Sequence, residues 1–405
     1  MTDDKTASQP EFKLRWYQFR LRTLLIFVFL VACVCSLIEI TLRKAWLQRR
    51  AVSEIIQSGG YVSYGRPGPA NALNPTLESK TSSVYELFGY DYFYDVVGVS
   101  GFRADDNNIA LLDDLPKLTQ LALDIRLLTH AKDGLKHLQK VDKLESLILQ
   151  GYRDDANLRV LKELPSLSSL ELRGYDLTLT DKCLDFVKPL KNLDHLALWR
   201  GNWTNDGIKE LTHLGTLRDL TIYSSNNIDD GLVILERTPH LQKLSLEWTP
   251  ITNAGLEHIK NLSNLEILYL FNTNIDDAGL ESLKYLHSLN ALDLSDTNIT
   301  GPGLKTLSQI ETLKFLALDG TKITDDGLLS LSTMRQLEQL NISNTNITLA
   351  GLKEFLKRLH NNEQAESLRP LCLIIRQTPA AKSLKDNPDL VKELNASYPD
   401  CILDY

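Results

Sequence analysis

The sequence predicts an α/β solenoid: a curved stack of strand–turn–helix units, with a parallel sheet on the concave face, helices on the convex face and one N-terminal transmembrane helix. Three observations predict it. From Leu241 the chain repeats every 24 residues. LQKLSLEWTPITNAGLEHIKNLSN is followed by LEILYLFNTNIDDAGLESLKYLHS from Leu265, LNALDLSDTNITGPGLKTLSQIET from Leu289, LKFLALDGTKITDDGLLSLSTMRQ from Leu313 and LEQLNISNTNITLAGLKEF from Leu337. A fixed period of this size marks one supersecondary unit stacked on copies of itself. Each line then divides in two. LxxLxL alternates apolar and polar residues, as a strand buried on one face does. The xITxxGLxxLxxL half spaces apolar residues by three and four, as on a helix facing a core. The third observation is a single charge-free run, Leu24 to Ile38, near the N-terminus.

The 405 residues are 43% hydrophobic with a formal net charge of −8. That is ample for a sizeable core. The charge is uneven: residues 1–50 carry nine Lys/Arg and four Asp/Glu, leaving 35 basic and 48 acidic residues for the rest. So acidic a body lacks the cationic footprint that neutralises phosphates, which argues against a nucleic-acid partner.

In chain order, residues 1–20 read as a polar cytoplasmic tail and 21–42 as a transmembrane signal anchor. The run Leu24–Ile38, extended by Leu21, Thr23 and Leu42, is long enough to cross a bilayer. Arg15, Arg20 and Arg22 flank one side, Arg43 and Lys44 the other, and Trp16, Tyr17 and Trp46 stand where an interfacial aromatic belt would. Basic residues nearly balance across the span. Orientation therefore rests on the usual retention of a short N-terminal tail inside, which puts the repeats outside the cytoplasm. A buried core helix is the alternative, but a solenoid needs none there. LVAC ending at Cys33 also resembles a bacterial lipobox. The apolar run continuing through Val34, Leu37, Ile38 and Ile40 favours an uncleaved anchor.

Residues 43–117 read as a juxtamembrane helix and an N-terminal cap. Ala51, Val52, Ile55 and Ile56 are assigned to one helical face, and Gly59-Gly60 stops the helix. Tyr61–Tyr64 reads as a short strand, 65–83 as a Pro/Gly/Asn/Ser loop and Val96–Ser100 as the first strand of the stack. The crowd of Tyr85, Phe88, Tyr90, Tyr92, Phe93 and Tyr94 suits a cap over the open end of the core better than a binding surface. Repeats fill 118–376, their strand patterns opening at Leu118, Leu144, Leu167, Leu193 and Leu217 before the regular series. Spacings of 26, 23 and 26 place small insertions in convex-side loops. Leu368-Arg-Pro-Leu371-Cys-Leu373 continues the pattern 31 residues after Leu337. Residues 377–405 read as a C-terminal cap, with a helix from Leu390 to Ala396 and a strand near Cys401.

The segment RWYQFRLRTLL, the anchor, the Gly-Gly-aromatic strand and the repeats together resemble the membrane-anchored leucine-rich repeat proteins of planctomycete-type bacteria. The repeat is also similar to the cysteine-containing type of F-box ubiquitin-ligase adaptors. It departs from that type at Thr249, Thr273, Thr297, Thr321 and Thr345, where Cys or Asn usually stands. The likeness covers the anchor and the run of repeats. It implies the fold and leaves function to the site, because this fold hosts many functions.

Acidic pairs recur just before Gly-Leu or Ala-Gly-Leu: Asp229-Asp230, Asp276-Asp277 and Asp325-Asp326. Stacked, they would form an oxygen ladder of the kind that holds calcium. The structural expectation is stronger. Thr252, Asp276, Thr300, Thr324 and Thr348 suit helix N-caps, and acids in a first turn favour the helix dipole. The threonine ladder is expected to satisfy backbone groups in the turn after each strand. Of five cysteines, Cys33 and Cys35 lie in the anchor and Cys183 stands alone, while Cys372 and Cys401 lie about one repeat apart and could pair across adjacent strands. The eight His residues share neither a metal spacing nor a repeat position. There is no nucleophile elbow, phosphate loop or dinucleotide fingerprint. Asn202-Trp-Thr, Asn298-Ile-Thr and Asn346-Ile-Thr match glycosylation acceptors, the last two as by-products of the repeat. No catalysis, cofactor, metal or small-molecule substrate is expected.

The strand face carries the candidate site. In LxxLxLx the leucines point to the core, and positions three, five and seven point to the concave surface. Those positions hold Trp199, Tyr223, Tyr269, Phe271 and Phe315, with Trp248 one place further on at the edge of the face. The seventh position gives Trp199, Tyr223, Glu247 and Phe271 in four successive repeats, and strands about 4.8 Å apart would set them in a row. Exposed aromatics in a row mark interaction sites, although cross-strand aromatic pairs also stabilise sheets for their own sake. Asp219, Glu247, Asp293 and Asp319 share the face and favour a partner with basic residues around an apolar centre. The expected function is a non-enzymatic, single-pass, membrane-tethered scaffold that binds a protein on its concave face. Two alternatives stand beside it. One is an intracellular substrate-recognition adaptor of ubiquitin-ligase type, opposed by the anchor and the lack of an F-box segment. The other is an enzyme or calcium-binding solenoid using the acidic turns, opposed by the lack of a nucleophile–base or metal set.

Overall fold

The computed structural model describes residues 12–65, 94–128, 134–151, 155–174, 179–360 and 370–405 of the chain, with side chains from residue 21 on. In chain order its strands are β1 (Tyr61–Tyr64), β2 (Val96–Asp105), β3 (Gln120–Leu127), β4 (Ser146–Gln150), β5 (Ser169–Arg173), β6 (Leu179–Thr180), β7 (His195–Trp199), β8 (Gly201–Asn202) and β9 (Asp219–Tyr223). The regular series gives β10 (Lys243–Ser245), β11 (Ile267–Tyr269), β12 (Ala291–Asp293), β13 (Phe315–Ala317) and β14 (Gln339–Asn341), followed by β15 (Leu371–Ile374) and β16 (Cys401–Asp404). Fourteen of them form one sheet in sequence order, and β6 and β8 form a separate two-stranded sheet. Apart from the antiparallel β1–β2 pair, every neighbouring pair in the large sheet is parallel.

Register follows the leucines. Leu220, Leu244, Leu268, Leu292, Leu316 and Leu340 stand opposite one another from strand to strand. All are at most 2% exposed and belong to one core that runs the length of the stack. Burying each such side chain contributes roughly 1.5–3 kcal/mol, and a unit gains it only against its neighbours.

The turn after each strand is equally periodic. The residue after position seven has a left-handed backbone at Arg200, Ser224, Trp248, Asn272, Asp296, Gly320 and Asn344. A buried threonine then closes the regular turns. Its hydroxyl donates to the carbonyl three residues back: Thr273 to Leu270 at 2.8 Å, Thr297 to Leu294 at 2.5 Å, Thr321 to Leu318 at 2.6 Å and Thr345 to Ile342 at 2.6 Å. Thr249 instead reaches the carbonyl of Ile222 in the preceding unit, at 3.1 Å.

The convex layer is thinner than the repeat pattern suggests. Its helices are short α and 3-10 pieces, from the three residues Glu257–Ile259 to the nine of Asp229–Arg237, until the twelve-residue helix Leu349–His360. Packed α-helices need 8–10 Å between axes, twice the strand spacing. Units stacked this tightly have room mainly for narrow turns. In both 26-residue units the apolar residues keep their spacing back from the next strand: Leu135, Leu138 and Val141 before Leu144, and Leu184, Val187 and Leu190 before Leu193. Counted along the chain, the extra residues therefore precede the helical half, and the expected convex-side insertions at 129–133 and 175–178 lie outside the described residues.

The segments read from the sequence as anchor and juxtamembrane helix are one element. Phe12–Gln57 is a single helix of 46 residues, because nothing breaks it before Gly59-Gly60. Ala51, Val52 and Ile55 are buried against the solenoid, whereas Ile56 is 54% exposed, one step round the helix from Ile55. Gln48 fixes the junction: its Oε1 accepts from Val96 N at 3.2 Å and its Nε2 donates to Tyr94 O at 2.7 Å. The loop read over 65–83 lies outside the described residues beyond Gly65, as do Tyr85, Phe88, Tyr90, Tyr92 and Phe93, and Leu368 at the other end.

The C-terminal segment holds two helices where one was expected, Pro379–Lys385 and Pro388–Ser397. The first is signalled by Thr378, whose hydroxyl accepts from Ala381 N at 3.0 Å, and by the proline after it. The Cys372–Cys401 pairing that the sequence left open fails on register. Leu371 stands opposite Cys401 and Cys372 opposite Ile402, so the two thiols point to opposite faces. Burial pushes the Cys401 thiol up to about 12.

Candidate binding face

The concave positions emerge from strand alternation as the sequence indicates, but the aromatic row is interrupted. Trp199 and Tyr223 are direct cross-strand neighbours on β7 and β9, with ring centroids 4.6 Å apart and planes at 35°. Arg173, opposite Trp199 on β5, lays its guanidinium 5.7 Å from the Trp199 ring and pairs with Glu171 at 2.7 Å. Trp248 and Phe271 form a second pair, edge to face at 5.4 Å. Glu247 stands between the pairs and accepts from the Ser245 hydroxyl at 2.9 Å. Tyr269 is half-buried on β11, and Phe315 stands two strands along on β13. Trp248 and Phe315 are the most open of the six, at 47% and 41% exposure.

Trp248 is held in an unusual way. Its φ is 57°, a left-handed backbone that the other units give to Arg, Ser, Asn, Asp or Gly. A bulky residue there costs of order 1–3 kcal/mol. Its N–H donates to Phe271 O at 2.9 Å, so the ladder enforces the turn that carries the indole to the rim.

Charge divides the face. On the N-terminal side carboxylates are neutralised: Asp124 by Arg126 at 2.6 Å, Glu171 by Arg173, and Asp219 by Lys243 at 3.3 Å. His195 sits between Asp219 at 3.2 Å and Glu171 at 3.6 Å. Hydrogen bonds to Asp219 and then Glu171 outweigh burial and raise its pKa to about 9. Burial pushes Asp219 up, but the bond and charge of His195 prevail and hold it below the usual carboxylate range. From Glu247 to Asp319 the face lacks this compensation, although Arg376 pairs with Asp404 at 2.7 Å at its C-terminal end. Among the described residues none of Glu247, Asp293, Asp296 and Asp319 forms an ion pair.

The acidic turns have a role the sequence reading missed. Asp229 accepts from the hydroxyl of Thr252 at 2.7 Å and from its backbone N at 2.9 Å. Asp325 does the same for Thr348 at 2.6 and 2.8 Å, and Asp181 for Thr204 at 2.5 and 2.9 Å. Asp155 and Thr180 repeat the pattern, as do Asp277 and Thr300. Each carboxylate thus locks one unit to the next. The signal was present as an Asp lying 23 residues before a Thr at 181, 229, 277 and 325. Own-unit caps are mixed. Thr252, Asp276 and Thr348 accept from Ala254, Ala278 and Gly351 N. Thr324 makes no such bond, and Thr300 precedes a helix that starts only at Leu304. No group of three His, Cys, Asp or Glu placed to hold a metal occurs among the described residues.

Parallel 24-residue units with a leucine core and closing turns define a leucine-rich repeat solenoid. Four consecutive segments, 238–259, 261–284, 285–308 and 309–332, match the family model described as Leucine Rich repeat. No curated protein matches the chain. Among solved structures, an internalin from Listeria monocytogenes is 19% identical over 67% of this chain and 71% of its own, with a TM-score of 0.47. A leucine-rich repeat protein of Leptospira interrogans is 18% identical over 73% of this chain and 80% of its own, with a TM-score of 0.41. The plant peptide hormone receptor RGFR1, in complex with RGF2, is 16% identical over 61% of this chain and 43% of its own, with a TM-score of 0.38.

Proposed function

We propose that the chain is a non-enzymatic scaffold, tethered by one uncleaved membrane helix, that binds another protein on its concave face, with the repeats outside the cytoplasm. The likeness to anchored leucine-rich repeat proteins of planctomycete-type bacteria is part of the same reading. The observation that carries it is the pair of aromatic contacts, Trp199–Tyr223 and Trp248–Phe271, presented on a sheet face rather than in the core. Aromatic side chains bury large areas at low entropic cost and dominate interfaces when clustered. The tether is supported by the N-terminal helix. Its apolar stretch is unburied, and Leu24 to Leu30 are each 55–67% exposed. Apolar surface of that extent is unstable in water and fits a bilayer.

The partner test compares four variants of the full chain in detergent. Trp199→Ala and Phe271→Ala should each weaken a captured partner by roughly 1–3 kcal/mol, while Lys260→Ala and Lys284→Ala on the convex side should do little. Weakening by the convex changes alone would move the site to the other face. A fall in melting temperature without loss of binding would reduce the aromatics to sheet stabilisers. For the tether, the full chain should fractionate with membranes and a chain beginning at Lys44 should stay soluble. A cut at Ala51 would remove Gln48 and its hold on Val96. A full chain recovered in the soluble fraction would end the tether reading, and a C-terminal reporter active only outside the cytoplasm tests the orientation.

A further inference from the structure

The charge asymmetry of the concave face specifies the partner further; the inference rests on the concave-face reading above. Beyond Glu247 the face carries Asp293, Asp296 and Asp319 on two adjacent units. Asp296 N donates to Asp319 O at 2.7 Å, so the two residues are bound neighbours. The Asp296 carboxylate lies over Gly320, where a Cβ would come within 1.9 Å of Oδ1. Glycine thus makes the space that this carboxylate fills. Partial burial and then the charges of Asp319 and Asp293 raise the pKa of Asp296, the mark of uncompensated like charges. Phe315 stands exposed on the same strand ladder, and the strained turn at Trp248 keeps that indole at the rim.

We propose that this half of the face docks a basic–apolar protein segment, with a Lys or Arg side chain seated among Asp293, Asp296 and Asp319 and apolar side chains on Phe315 and the Trp248–Phe271 pair. A cation there removes the mutual repulsion of three carboxylates. The aromatic rings take the flanking apolar groups and stabilise the charge from their faces. Calcium fits less well. Among the described residues no group of three His, Cys, Asp or Glu is placed to hold a metal ion, and Asp293 Oδ1 and Asp319 Oδ1 are turned to Ser295 N at 2.8 Å and Asn344 Nδ2 at 2.7 Å.

The test uses the full chain in micelles and a labelled synthetic peptide of Lys, Phe and Ser, read against empty micelles and against the same peptide with Glu for Lys. The Lys peptide should bind and the Glu peptide should not. The double variant Asp296→Asn, Asp319→Asn should weaken binding tenfold or more and flatten its salt dependence. Asn is tolerated at 296, since Asn272 and Asn344 hold the same left-handed position, so the melting temperature should not fall. Glu171→Gln, on the neutralised half, should leave binding unchanged. Unchanged affinity in the double variant would overturn the proposal, and so would binding of calcium alone that the double variant abolishes. Loss of binding in Trp248→Ala with none in the acid variants would sink this inference but not the concave-face reading. Indifference to both sets would sink the two together.

Discussion

The units before β10 and the units after it solve the same stacking problem differently. From β3 to β9, leaving out β6 and β8, strands run five to eight residues. From β10 to β14 they run three. The earlier units hold themselves by longer backbone ladders and by ion pairs across the concave face, as with Glu171, His195, Asp219 and Lys243. The later ones turn sooner and close each turn with a buried threonine. The difference teaches that strict periodicity and side-chain closure go together. When successive units place the same hydroxyl on the same carbonyl, as those of Thr273, Thr297, Thr321 and Thr345 do, less ladder is needed, and concave side chains are released from structural duty.

The largest effect should come from the regular half. Leu268 is fully buried at the centre of its register. Leu268→Asp places an unpaired charge there and should cost more than about 4 kcal/mol. Hydrogen exchange should show the loss spreading into adjacent units; an unchanged melting curve would refute the register. Next comes the ion-paired half. The raised pKa of His195, about 9 against 6.5, means its stabilisation is complete below about pH 6.5 and lost as pH rises through about 9. Discounted for solvent screening at this half-buried site, the contribution is of order 2 kcal/mol, and His195→Gln should flatten stability against pH across that window relative to the parent. Equal slopes would show that the network contributes nothing. A single rung of the threonine ladder is smaller. Thr297→Val should cost about 1–2 kcal/mol by leaving the Leu294 carbonyl unpaired, measured by chemical denaturation. Smallest, and opposite in sign, is Trp248→Asn. It relieves the strained turn and should raise stability by up to about 1 kcal/mol while weakening partner binding. A fall in stability would mean that the Trp248–Phe271 contact outweighs the strain.

Much was legible because a repeat states its rule many times. The 24-residue period determined the parallel register, the buried leucines, the direction of the concave side chains and the hydroxyl bonds of the threonine ladder. Alternation alone placed Trp199, Tyr223, Tyr269, Phe271 and Phe315 on the sheet face, because side-chain direction in a strand is local geometry. What the sequence left undecided depends on which unit lies beside which. Asp229 caps Thr252 of the next unit rather than its own, and Glu247 splits the aromatic row into two pairs. Neutralisation of the early carboxylates, but not of Asp293, Asp296 and Asp319, depends on the cations that neighbouring strands bring within reach. The helix Phe12–Gln57 makes the same point at the other end. It is long and apolar enough to cross a membrane, but only packing shows that its last turns, through Gln48, Ala51, Val52 and Ile55, also close the solenoid. Propensity and period act along the chain, whereas charge pairing and capping act across it, over distances that folding alone sets.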